Sequence, residues 1–183
     1  MKFFETSKYF SLKKSTYINL RWIAIIGQFI TINLVYFILE FKFDFLSANT
    51  VIFIGILSNL YLIYINKKTQ LADGFASIFL IIDIIQLGFL IYLTGGTANP
   101  FVIFLIIPSV FSSSNLSFRI NVLLVAITTI TIIFLTFFHQ DLPFPLSEHY
   151  HVDPYYSYAI PVALIIALIF MNYFAINFGS ESR

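Results

Sequence analysis

The stretch Phe75–Thr94, FASIFLIIDIIQLGFLIYLT, decides the fold. Its twenty residues carry one charge, Asp83, and no proline. A helix needs about 20 mostly apolar residues to cross the hydrocarbon core of a bilayer. The apolar residues run on without the alternation of a barrel strand, so the reading is a spanning helix. Five more stretches read the same way: Leu20–Leu39, Leu46–Ile65, Pro100–Leu116, Ile120–Phe138 and Tyr156–Phe178. Of the six, Pro100–Leu116 is the shortest, and it holds Pro108 in its interior.

Composition agrees. The chain has 183 residues, 59% hydrophobic and 10% charged, with a mean hydropathy of +0.90. Soluble domains are about 45–50% apolar and about 25% charged. So little charge does not cover the surface of a water-soluble globule, which excludes soluble enzymes, disordered regulators and nucleic-acid binders. The net charge of +1 leaves no basic excess for a phosphate partner. With no cysteine, disulfides, thiolate metal sites and thiol redox switches are excluded within the chain. The expected fold is an all-α polytopic membrane protein of six transmembrane helices with short loops. Its expected divisions are a cytoplasmic segment 1–19, a six-helix domain 20–178, and the start of a cytoplasmic linker at 179–183.

Charge sets the orientation. With the amino terminus inside, Lys2, Lys8, Lys13, Lys14, Arg21, Lys67, Lys68, Arg119 and Arg183 are all inner. Lys42 alone is outer, so the positive-inside rule places both termini in the cytoplasm. Glu40, Asp44, Asp141, Glu148 and Asp153 fall outside. Tyr150, Tyr155, Tyr156 and Tyr158 read as an outer interfacial belt and Trp22 as an inner anchor. The first span is longer than a signal-peptide core, and no small-x-small site follows it, so it reads as a retained helix. The two three-helix halves share no visible repeat, which counts against an inverted-repeat transporter.

Between the third and fourth spans lies Gly95-Gly96-Thr97-Ala98-Asn99-Pro100-Phe101. Paired glycines end a helix and accept positive φ. Asn99, held out of the helical region by the proline after it, suits an N-cap. Pro100 fits the first helical position. A tight interhelical turn accounts for all of this without a ligand. A second reading adds a binding role: free N–H groups at the helix start facing a carbonyl oxygen, Asn99 adding an amide and Phe101 a flat apolar face. A ring with two carbonyls and an apolar tail, dissolved in the bilayer, fits that description.

The heptapeptide, preceded by Asp83-x-x-Gln86-Leu87 and Leu93-Thr94, resembles the membrane sensor region of RegB/PrrB-type redox-sensing histidine kinases. Leu20-Arg21-Trp22-Ile23-Ala24-Ile25-Ile26-Gly27-Gln28 is similar to that family's opening span. The resemblance implies a ubiquinone site at Gly95, Gly96, Asn99, Pro100 and Phe101, with ubiquinone bound as a signal ligand and no metal. It also implies a bacterial inner-membrane homodimer drawing on the quinone pool and addressing a response regulator. In that family a phosphoacceptor histidine and an ATP-binding domain follow the last span. The 183 residues hold neither, since His139, His149 and His151 are all in the outer loop. The chain is thus expected to be a sensor fragment or a stand-alone relative, and not a kinase by itself.

Asp83 sits near the middle of its span, where a carboxyl costs roughly 2.5–3.5 kcal/mol to insert. Gln86 is one turn along on the same face. Either a neutral, protonated Asp83 bonds a neighbour such as Asn33 or Asn59 and serves helix association, or it is a proton-coupled group in sensing. At about 1.5 Å per residue it lies roughly 18 Å from Gly95, too far to share a headgroup with the turn. Gln28 and Asn172 are further candidates for interhelical bonds. His149 and His151 are the candidates for a metal, at a spacing that diagnoses none. Asp73-Gly74 brings to mind phosphoalcohol chemistry but lacks the downstream acids. The alternative function is a small transporter or channel subunit with Asp83 and Gln86 in a polar path.

Overall fold

The computed structural model describes residues 12–65, 70–143 and 154–181. The described residues form six α-helices: α1 (Lys14–Phe37), α2 (Phe45–Ile65), α3 (Asp73–Tyr92), α4 (Ile106–Asn115), α5 (Phe118–Phe137) and α6 (Pro154–Glu181). Five of them, all but α4, are long and apolar enough to cross a membrane. The sixth crossing is composite. A 3₁₀ segment, Pro100–Leu105, runs into α4 two residues before Pro108. At about 2.0 Å per 3₁₀ residue and 1.5 Å per α residue, these 16 residues extend roughly 27 Å, close to the ~30 Å hydrocarbon thickness. A proline ring collides with the carbonyl four residues back, here Phe104, and the chain before Pro108 is wound as 3₁₀. Pro161 lies inside α6.

Two local devices set the helix ends. At the close of α1, Glu40 takes a left-handed φ of 56°, and Phe41 donates its N–H to the Val35 carbonyl at 3.1 Å. Before α2, the Asp44 carboxylate accepts from the Ser47 hydroxyl (2.6 Å) and amide (3.0 Å). These bonds, the hydroxyl first, hold the Asp44 carboxyl below its usual range.

Helix α3 is central: half of its apolar window is buried, against 17–28% for the other spans. It packs on α2, α4 and α5; α4 and α5 both pack on α6, and α1 packs along α2. Leu80, Ile84, Leu105, Leu124, Ile132 and Leu168 form the main core. Ile25, Ile32, Ala48, Ile52 and Leu90 form a second core under α1 and α2. Large apolar side chains such as Ile23, Ile130 and Phe170 face outward, as in a bundle solvated by lipid.

The two ends are tied separately. On the inner side a two-residue antiparallel pair joins Leu12 to Leu71 and Lys13 to Gln70. There Asp73 accepts the Ser117 N–H at 3.1 Å, giving this acid a connecting role between α3 and α5. On the outer side, Gln140 donates to the Tyr92 carbonyl at 2.9 Å. Arg119 and the amino-terminal lysines Lys13 and Lys14 therefore share one side, as the charge distribution predicts.

Arg21 corrects the sequence reading. Helix α1 begins at Lys14, ahead of the apolar run, so Arg21 lies about 10 Å along the helix and is buried. It is an intramembrane charge and not an inner-surface one. The orientation keeps its sign without it.

Candidate functional site

The outer turn forms as its residues dictate. Gly95 and Gly96 take φ of 106° and 58°, a region that costs other residues energy. Each also lies under a neighbour: a Cβ on Gly95 would come within 2.5 Å of Leu142, and one on Gly96 within 2.5 Å of the His139 ring. Asn99 is extended (φ −73°, ψ 121°), with Pro100 opening the 3₁₀ segment. Its Oδ1 accepts the Phe101 N–H at 2.9 Å. Its Nδ2 donates to the Thr94 hydroxyl at 2.6 Å and the Thr94 carbonyl at 3.3 Å.

This accounting corrects one expectation. The N–H groups at the start of the 3₁₀ segment are not free for a ligand: Asn99 Oδ1 takes that of Phe101, and the Asn99 carbonyl takes that of Val102 at 3.0 Å. The Asn99 amide is likewise committed to Thr94 and Phe101. Phe101 itself is 40% exposed, its ring tilted against Phe104 at 5.8 Å.

Asp83 bonds neither Asn33 nor Asn59. Its Oδ1 receives Arg21 Nη2 at 2.8 Å and Nε at 2.9 Å, and its Oδ2 receives the Tyr17 hydroxyl at 2.7 Å. The guanidinium also reaches Ser58 Oγ at 3.0 Å and Asn59 Oδ1 at 3.5 Å on α2, and lies over the Phe79 ring. One turn along α3, Gln86 Nε2 donates to Gln28 Oε1 at 3.0 Å. It passes α2 at Gly55, where a Cβ would sit 2.5 Å from Gln86 Nε2. Asp83 and Gln86 thus share the face expected of them, and both are tied to α1. A polar solute path would need these side chains free.

Between α1, α3 and the 3₁₀–α4 segment runs one groove of about 590 Å³. That volume falls within the ~300–1,000 Å³ of small-molecule sites. Asn99 and Phe101 line one end, and Tyr17, Arg21 and Asp83 the other. Leu87, Ile107 and Pro108 help form apolar walls, and the small Ala24 and Gly27 keep α1 low along them. Leu20, Ile23, Phe104 and Ile107 stand exposed at the rim, so the groove opens toward lipid. Of the sequence candidates, Gln28, Asp83, Asn99 and Phe101 reach it; Gly95, Gly96, Pro100 and Gln86 shape its surroundings. The turn and the carboxylate are distant, as the helix rise predicts, yet they share this groove. His149 and His151 lie outside the described residues.

A second polar cluster joins the helices behind the groove. Asn121 Nδ2 on α5 donates to the Ser109 carbonyl (3.1 Å) and Ser112 Oγ (3.0 Å) on α4, and to Asn172 Oδ1 (2.8 Å) on α6. Ser109 Oγ pairs with Thr128 Oγ1 at 2.7 Å. Asn172 was legible as an interhelical group; Asn121 and the α4 serines were not singled out. An amide in an otherwise apolar span is the signal that marks Asn121.

Comparison with known proteins adds two findings. The family model described as PilS-like transmembrane domain matches residues 15–182. Sensor histidine kinase RegB of Cereibacter sphaeroides is 26% identical over 169 residues, covering 92% of this chain and 37% of the relative. The chain therefore spans little more than a third of that curated relative's length. No solved structure matches.

Proposed function

This chain belongs to the PilS-like transmembrane domain family, and from that premise we propose that it is the membrane sensor region of a RegB-type histidine kinase, holding ubiquinone or ubiquinol in the groove. It is an all-α, multi-pass protein of the bacterial inner membrane. The observation that carries the proposal is the groove. It brings Asn99 and Phe101 of the turn motif into the wall of a lipid-open, largely apolar cavity of ligand size. A quinone enters such a site from the bilayer, with its ring against Phe101 and Phe104 and its tail leaving between rim side chains.

The relay to the cytoplasm follows the backbone. The groove wall contains the 3₁₀ segment, which continues into α4, and the Asn121 amide ties α4 to α6. A ligand that prefers one setting of the wall shifts α6, whose far end lies on the inner side. The two redox forms must bind the two settings unequally, because equal binding shifts nothing. A kinase core beyond α6, a parallel homodimer and a response regulator complete the proposal.

Photoaffinity labelling with an aryl-azide ubiquinone analogue tests it. Label competed by ubiquinone is expected on peptides holding Ala24–Thr31 and Phe101–Phe104. Competed label confined to α5 or α6, or label that ubiquinone does not displace, overturns the site.

A further inference from the structure

Every polar side chain in the groove wall has a definite hydrogen-bond state, and sorting them leaves two. Tyr17, Arg21 and Asp83 bond one another at the inner end. At the outer end the Asn99 amide is used on Thr94 and Phe101, and the Thr94 hydroxyl donates to the Leu90 carbonyl while accepting from Asn99. Gln28 and Thr31 remain, three residues apart on one face of α1.

Gln28 accepts from Gln86 through Oε1, so its Nε2 points away from that bond, and no described residue accepts from it. Thr31 is the second case. Thr50, Thr129, Thr131 and Thr136 return their hydroxyls to the carbonyl one turn back. The Thr31 hydroxyl makes no such bond among the described residues. Two hydrogen-bonding groups are left unspent in a lipid-open, apolar wall, where an unmade bond is costly.

We infer that Gln28 and Thr31 form the hydrogen-bonding station for a ring carbonyl in this groove, and that the Gln28–Gln86 pair makes the station favour the oxidised ring. The inference rests on the quinone reading above and deepens it by naming the polar contact and the preferred redox form. The Gln86 N–H holds Gln28 Oε1 to the rear, which turns Nε2 toward the groove as a donor. A quinone carbonyl accepts from that donor. A quinol oxygen also has lone pairs to accept with, but it is a weaker acceptor than a carbonyl and its own O–H must turn away from that donor, so it binds less well. Gly55 maintains the arrangement, since its missing side chain is the space through which Gln86 reaches α1. The turn motif then contributes shape and an aromatic face, and α1 contributes the polar contact.

The test is equilibrium binding of short-tailed ubiquinone and of its quinol to the purified full chain in nanodiscs. A ring analogue of equal size without carbonyls is measured alongside. The wild type is expected to bind quinone more tightly than both the quinol and the analogue. Gln28→Met and Thr31→Val should each weaken quinone binding about fivefold, the worth of one neutral hydrogen bond. Neither should weaken the analogue. Gln86→Leu frees the Gln28 amide to rotate, so it should keep quinone affinity within about twofold while narrowing the preference over quinol. Thr31→Val keeps the inference testable if a Gln28 variant misfolds, because the Thr31 hydroxyl makes no hydrogen bond among the described residues. Folded Gln28→Met and Thr31→Val proteins with wild-type quinone affinity overturn the station and leave the groove standing. A wild type with no saturable quinone binding overturns both.

Discussion

Removing Arg21 alone should damage the protein more than removing Arg21 and Asp83 together. Arg21 places two N–H groups on Asp83 Oδ1, at 2.8 and 2.9 Å. Arg21→Met leaves that carboxylate with the Tyr17 hydroxyl as its remaining partner among the described residues. Removing one member of a buried ion pair costs about 3–5 kcal/mol. Asp83→Leu strands the guanidinium instead, with Ser58 at 3.0 Å and Asn59 at 3.5 Å as compensation, and belongs in the same range. Replacing both by well-packed apolar groups removes the charges with their desolvation penalty and is often neutral. Arg21→Met/Asp83→Leu is therefore expected within about 1–2 kcal/mol of wild type, with a coupling of roughly 4 kcal/mol or more. Reversible unfolding in mixed detergent–SDS micelles, followed by circular dichroism, gives the four free energies of the cycle. Single variants within about 1 kcal/mol of wild type, or a double variant equal to the sum of the singles, would refute a buried pair and with it the α1–α3 bridge.

Other consequences follow from contacts elsewhere in the bundle. Gly96→Ala forces a Cβ against the His139 ring from a left-handed backbone and should lower stability by about 1–3 kcal/mol. Gly27→Ala, with nothing within 4 Å of the new Cβ, should leave the unfolding curve unchanged or slightly raised. Asn121→Ala strands Asn172 Oδ1 and should cost about 1–3 kcal/mol; a cycle with Asn172→Ala should return a coupling near 0.6, and at most about 1.7, kcal/mol. Acidification should release the start of α2. The folded Asp44 carboxyl is held low, so its support is intact above the usual carboxylate pKa and is lost as pH falls through the lowered value. Amide exchange at Ser47, corrected for intrinsic rate, should therefore rise only in acid.

The spans were legible because twenty apolar residues in a row have few other uses, and the glycines because the turn needs positive φ. The partner of Asp83 was not. Arg21 is 62 residues away, so no periodicity links the two, and a basic residue at the start of an apolar run looks like an inner anchor. The usable clue was that an intramembrane carboxylate calls for a partner of opposite charge, and Arg21 is the one cation inside the six apolar stretches. At the turn, sequence identified the Asn99 cap but assumed donors left over; the cap itself consumes them. The 3₁₀ winding of Pro100–Leu105 was hidden because it is a response to Pro108 and to the packing of α3. The groove was hidden for a similar reason: it arises where α1 leans on α2 and touches α3 through side chains, an arrangement of three separate segments.

The most direct test of the account is to fill the groove without disturbing the helices. Gly27 lies in its wall, and a side chain there meets open space. Short-tailed ubiquinone should bind the wild-type chain saturably in nanodiscs. Gly27→Leu should bind it at least about tenfold more weakly, a loss of about 1.4 kcal/mol, while unfolding as the wild type does. Equal binding by both proteins would contradict the claim that this groove is where the membrane signal is read.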